Sequence, residues 1–139
     1  EYGGGYIEKL FTNNLDPNDH PYFSEIYDLK VSSHLLIERD GSLVQFVPFN
    51  KKAWHAGVSS FKGRENCNEF SIGIELEGTD DNKYTEDQYR ALIDTTKALM
   101  LVFQDIKKEN IVGHSDIAPG RKTDPGKAFD WHYYLSNLV

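Results

Sequence analysis

From Phe70 to Glu77 the chain reads Phe-Ser-Ile-Gly-Ile-Glu-Leu-Glu, apolar at every second position. Successive side chains of a strand point to opposite faces, so this alternation predicts a strand with one buried face. It places Ser71, Gly73, Glu75 and Glu77 together on the other face. Strands are also predicted at Ser33–Glu38 and Leu43–Pro48, which flank Arg39-Asp40-Gly41-Ser42, because Asp-Gly is a strong short hairpin turn. Thr85 and Gln88 form a capping box that opens a helix running to about Phe103. Its core stripe is Tyr89, Leu92, Ile93, Thr96, Leu99, Met100 and Phe103. A helix over His20–Leu29 follows a possible cap at Asp19, and Asp130 caps a last helix from Trp131. Ile111-Val112-Gly113 reads as a short buried strand ending at His114. The first 18 residues read as loop, with one helical turn around Tyr6–Leu10. The irregular alternation predicts an α/β fold: a single domain over residues 1–139 with a mixed central β-sheet flanked by helices.

The bulk properties narrow the function classes. A hydrophobic fraction of 39% suits a packed globular core, and no apolar run approaches the roughly 18 residues of a membrane span. The N-terminus has neither the basic start nor the apolar stretch of a signal peptide, and it lacks a starting Met. A net charge of −7, with Lys51-Lys52 as the nearest thing to a basic stripe, argues against a nucleic-acid binder. It favours a small substrate, and no protein partner is implied. The single cysteine, Cys67, rules out an intramolecular disulfide and leans towards a reducing compartment. Cys67 itself reads as a small buried residue. Gly3-Gly4-Gly5 lacks the Lys-Ser/Thr of a phosphate loop and reads as a turn.

The chemistry concentrates between His114 and Gly126, where reactive side chains sit among Pro and Gly just after the predicted strand. His114 offers an imidazole and Asp124 a carboxylate, both good zinc ligands. Their separation is too long for one helix face, so the loop must fold back to join them. Lys122 lies two residues before Asp124, where an ammonium beside a metal-bound carbonyl stabilises an oxyanion. The bland alternative for such a His and Asp is a hydrogen-bonded turn. Glu75 and Glu77 also have a bland reading, as solvated carboxylates on a strand face. Their position beside Gly73, where a ligand can approach closely, makes one of them a candidate general base.

Five strings in order resemble a known family: Val31-Ser32-Ser33-His34, Ala53-Trp54-His55-Ala56-Gly57, Gly63-Arg64-Glu65-Asn66-Cys67-Asn68, Ser71 to Asp80, and His114 to Gly126. They are similar to the AmpD family, N-acetylmuramoyl-L-alanine amidases of the amidase_2 superfamily, whose relatives include peptidoglycan recognition proteins. The resemblance implies a zinc site of two histidines and one acid, with His114 and Asp124 as the second and third ligands. It also implies Lys122 as the residue that stabilises the transition state and Glu75 as the catalytic glutamate. The implied substrate is a small muropeptide, cut between N-acetylmuramic acid, usually its 1,6-anhydro form, and L-alanine. The implied role is cytoplasmic recycling of cell-wall fragments, away from membranes.

The family's first zinc histidine lies on a strand upstream of the Gly3–Gly5 segment, and this sequence begins at Glu1. The expectation is therefore a domain lacking its N-terminal strand and impaired in holding zinc. His20, His34 and His55 are candidates for a substitute ligand, though each reads more simply as structural or substrate-facing. The resemblance places Trp54 along the substrate groove, with Tyr22 at its border. It offers Arg64, Lys30 and Arg121 to the carboxylates of the stem peptide. The rival reading is a non-catalytic muropeptide- or peptidoglycan-binding module, and a weaker one is a structural domain without metal.

Overall fold

The computed structural model describes residues 32–138. The turn expected at Tyr6–Leu10 and the helix expected at His20–Leu29 lie outside the described residues. Within them the chain forms two compact units, one of residues 32–36 and 43–75, the other of 37–42 and 76–138.

Three short strands form one sheet: β1 (Leu35–Ile37), β2 (Leu43–Gln45) and β5 (Ile74–Leu76), in the order β2-β1-β5. The predicted hairpin joins β1 to β2. Its turn is closed by the Gly41 N–H donating to the Glu38 carbonyl at 2.8 Å and the Ser42 N–H donating to Asp40 Oδ1 at 2.9 Å. The Asp40 carboxyl is held below its usual value by its hydrogen bonds to Ser42. Along β1 and β5 the bonded partners advance in the same direction. The His34 N–H donates to the Gly73 carbonyl at 2.9 Å, and the Glu77 N–H to the Ile37 carbonyl at 2.9 Å. The pair is therefore parallel and the sheet mixed, as expected. A parallel pair cannot be closed by a tight turn, and the crossover after β2 carries a second hairpin outside the predicted strands. In it β3 (Ser60–Phe61) pairs antiparallel with β4 (Arg64–Glu65) around Lys62-Gly63. Both turn residues have positive φ, 50° and 82°. Lys-Gly lacks the Asn or Asp that usually announces such a turn, so the signal was weak.

The strand at 70–77 is shorter than predicted, and its alternation does not translate into burial. Ile72, Ile74 and Leu76 are half-buried, whereas Glu77 is only 6% exposed. The reason is a fixed partner: Glu77 Oε1 accepts the Arg39 N–H at 3.0 Å. That bond makes burial of the carboxylate tolerable. A second correction concerns Ile111-Val112-Gly113, which is not a strand, and Val112 is 39% exposed. Its backbone donors are used locally, the Ile111 N–H by the Lys108 carbonyl and the Gly113 N–H by Asp116 Oδ2. No ladder can use them.

The helix α1 (Glu86–Val102) opens on the predicted capping box, with Thr85 Oγ1 and the Gln88 side chain each accepting the other's backbone N–H. Tyr89, Leu92, Ile93, Thr96 and Leu99 are buried as expected, while Met100 and Phe103 are half-buried. Phe129 sits among aromatic rings, with centroids 5.8 Å from Tyr84, 5.4 Å from Tyr89, 4.8 Å from Trp131 and 5.7 Å from Tyr134. The last helix (Trp131–Ser136) is capped as predicted by Asp130, which accepts the Tyr133 N–H at 2.9 Å.

Thr96 Oγ1 donates its one proton to the Leu92 carbonyl at 2.7 Å, so the Tyr134 hydroxyl must be the donor in their 2.7 Å bond. Burial pushes the Tyr134 phenol up, against the effect of this bond. Tyr134→Phe is expected to cost about 1 kcal/mol, the net worth of one buried hydrogen bond, read as a lowered denaturation midpoint.

Candidate active site

The loop after Gly113 folds back as the chemistry requires. His114 opens a short helix, α2 (His114–Ile117), whose first turn is tied by the Asp116 carboxylate to the Gly113 N–H at 2.8 Å. The chain then returns so that the Ser115 N–H donates to the Asp124 carbonyl at 3.0 Å. A cis Asp124–Pro125 bond and a Gly126 N–H to Thr123 carbonyl bond of 2.9 Å close the turn. Gly113 is part of this arrangement. A Cβ there would lie 2.8 Å from Pro125 Cδ and 3.1 Å from the Trp131 ring, so only glycine lets the two arms of the loop approach. Gly113, expected as a strand end, is instead the point where the loop closes. The available signal was a Gly directly before His114 and a Pro directly after Asp124.

The result is a His114 Nδ1 to Asp124 Oδ2 distance of 3.2 Å, with both residues half-buried. Partial burial pushes the Asp124 carboxyl up. The hydrogen bond and charge of His114, with the charge of Lys122, outweigh it and hold Asp124 below its usual value. Lys122 itself is exposed, its N–H bonded to the Ala118 carbonyl at 3.0 Å. The three predicted residues of this loop thus lie in one electrostatic neighbourhood. An imidazole nitrogen and a carboxylate oxygen are donors suited to zinc. Among the described residues no third His, Cys, Asp or Glu joins them.

The Amidase_2 family model, described as N-acetylmuramoyl-L-alanine amidase, matches residues 6–127. The chain belongs to the N-acetylmuramoyl-L-alanine amidase family.

Curated relatives agree. The 1,6-anhydro-N-acetylmuramyl-L-alanine amidase AmpD of Escherichia coli K12 is 61% identical over 131 residues, 94% of this chain and 71% of that protein. AmpD of Haemophilus influenzae is 54% identical over 138 residues, 99% of this chain and 75% of that protein. Among solved structures, a crystal structure of a selenomethionine AmpD derivative matches with TM-score 0.97 and 56% identity. It covers 100% of this chain and 77% of that one. Escherichia coli AmiD, in complex with the substrate anhydro-N-acetylmuramic acid-L-Ala-D-gamma-Glu-L-Lys, matches with TM-score 0.74 and 34% identity over 89% of this chain and 54% of that one.

The other residues that the sequence nominates lie as follows. Glu75 lies in β5, half-buried, in the unit formed by 32–36 and 43–75. Glu77, the other candidate base, is buried, and its Oε1 accepts the Arg39 N–H. Trp54 is 56% exposed, with Lys52 Nζ 4.0 Å from its ring centroid and paired to Glu69 at 2.5 Å. The exposed Arg64 places its guanidinium 4.1 Å from the Phe70 ring centroid. Arg121 is exposed on the His114 loop, and Tyr22 and Lys30 lie outside the described residues.

The candidate substitute ligands resolve differently. His34 is fully buried, with Nε2 2.7 Å from the Lys51 carbonyl and Nδ1 accepting the Gly73 N–H at 3.1 Å. A carbonyl only accepts, so His34 is the neutral Nε2–H form with both nitrogens engaged, a structural residue and not a metal ligand. Ser71 Oγ donates to the Cys67 carbonyl at 2.6 Å, so in its 3.2 Å contact with His55 Nε2 the imidazole is the donor. The expected ligand approach beside Gly73 is also corrected. The His55 ring fills that space, and a Cβ on Gly73 would lie 2.5 Å from it. His20 lies outside the described residues.

Proposed function

We propose that this chain hydrolyses the amide bond between N-acetylmuramic acid, in its 1,6-anhydro form, and L-alanine of small muropeptides, during cytoplasmic recycling of cell-wall fragments. The observation that carries the reading is the His114–Asp124 pair at 3.2 Å, with the Lys122 charge beside it, in a chain of this amidase family. AmpD by its name, and AmiD by its bound molecule, act on anhydro-muramyl substrates. Zinc held in part by His114 and Asp124 would lower the pKa of a water and polarise the amide carbonyl. The chain's own residues divide the remaining work. Glu75 takes the proton from the attacking water and delivers it to the amide nitrogen, whose bond to the lactyl carbonyl breaks. Lys122 stabilises the negative charge that develops on the carbonyl oxygen. Trp54, Arg64, Lys30, Arg121 and Tyr22 are assigned to the sugar and the stem peptide.

The deciding experiment incubates the chain with anhydro-muramyl tripeptide and follows release of the peptide by mass spectrometry. Hydrolysis that disappears with a chelator and returns with zinc is the expected result. Zinc content is measured in parallel on the chain and on His114→Ala and Asp124→Ala, which are expected to lose the metal. Binding of the muropeptide with no cleavage by the unaltered chain would shift the reading to a non-catalytic recognition module.

A further inference from the structure

The loop that carries Lys122 and Asp124 is gripped from outside at both chain neighbours of Asp124. Thr123 Oγ1 donates a hydrogen bond to Asp80 Oδ2. The Tyr84 hydroxyl donates to the Pro125 carbonyl at 2.9 Å. Between these anchors Asp124 is held at its backbone by the Ser115 N–H and at its side chain by His114. The two segments are also in direct contact, since a Cβ on Gly126 would lie 2.6 Å from the Cα and carbonyl oxygen of Asp80. Thr123 is exposed and Asp80 half-buried. An exposed hydrogen bond adds little stability, so the effect of this bond falls on geometry. Tyr84 is buried and packs edge-on against Phe129 at 5.8 Å, which gives the grip a rigid base.

We infer that Asp80 and Tyr84 are positioning residues that set the placement of Lys122 and Asp124, Asp80 through the Thr123 hydroxyl and Tyr84 through the Pro125 carbonyl. The inference rests on the amidase reading for its kinetic consequences alone. Neither residue touches the reacting atoms. Each removes freedom from a loop in which a small misplacement is costly to turnover.

The test compares Thr123→Val, which keeps the shape and loses the donor, with Thr123→Ser, which keeps the donor, and adds Asp80→Ala and Tyr84→Phe. Thr123→Val and Asp80→Ala are each expected to lower kcat about tenfold with KM within about twofold. Zinc affinity, from competition with a chromogenic chelator, falls by a similar factor, the usual scale for residues that orient metal ligands. Thr123→Ser stays near the unaltered protein, and the Asp80→Ala/Thr123→Val double variant is no worse than either single one, because both remove the same bond. In the metal-free chain the His114 ring 15N shifts move in Thr123→Val and Asp80→Ala but not in Thr123→Ser. Tyr84→Phe, which melts lower, is judged on the same ring shifts. Unchanged ring shifts and kcat in Thr123→Val and Asp80→Ala, or losses that multiply in the double variant, would overturn the inference. An unaltered chain that leaves the muropeptide intact would overturn the amidase reading instead, and the ring shifts would still judge the grip.

Discussion

Glu75→Ala and Lys122→Ala should each reduce amidase turnover by at least about a hundredfold while leaving the thermal melting curve in place. General acid–base groups contribute roughly 10²–10⁴ in rate, and one oxyanion-stabilising donor about 10²–10³. Neither side chain belongs to the buried cores: Glu75 is half-buried in β5 and Lys122 is exposed. Circular dichroism and melting curves should therefore match the unaltered protein. The two variants differ in an informative way. Lys122→Arg retains a cation and should recover part of the rate, whereas Glu75→Gln keeps the shape but has no carboxylate to accept a proton. Hydrolysis of anhydro-muropeptide by Glu75→Ala at the unaltered rate would remove it from the proton-transfer role.

The largest stability effect is expected at Gln88. This fully buried side chain uses all four of its hydrogen-bonding positions. Its amide nitrogen donates to the Glu77 carbonyl at 2.8 Å and the Ile37 carbonyl at 3.3 Å. Its oxygen accepts the Thr85 N–H at 3.0 Å and Arg39 Nη1 at 3.3 Å. One residue thus closes the capping box of α1 and ties that helix to the ends of β1 and β5. Gln88→Ala should cost about 3 kcal/mol from lost hydrogen bonds and the cavity left behind. At this chain length that corresponds to a fall in Tm of roughly 10 °C. Gln88→Glu separates bonding from volume. It removes both amide donors and turns an oxygen towards the Glu77 and Ile37 carbonyls, so the variant should melt well below the unaltered protein at pH 7. A Gln88→Glu protein that melts with the unaltered one at pH 7 would remove the hydrogen-bond argument.

Much of the fold was legible along the chain. The Asp40-Gly41 turn, the Thr85–Gln88 capping box, the α1 core stripe from Tyr89 to Leu99 and the Asp130 cap are local signals, and each stands where expected. The Ile111–Gly113 strand failed for the opposite reason. Three apolar or small residues carry no information about partners, and local acceptors took the N–H groups of Ile111 and Gly113. The β3–β4 hairpin escaped because Lys62-Gly63 is an uncommon turn pair.

Five strings in order, the His114–Gly126 loop among them, were enough to point to the family, since residue types and loop punctuation are written in the sequence. Only the folded chain decided how the parts meet. A side chain's partner across many residues depends on packing, which no local pattern encodes. That is why Glu77 became a buried partner of Arg39, why His34 became a neutral structural histidine, and why the His55 ring fills the space beside Gly73. Packing likewise brought His114 and Asp124 within hydrogen-bonding distance, with Gly113 small enough to let Pro125 in and Asp80 and Tyr84 holding the residues on either side of Asp124.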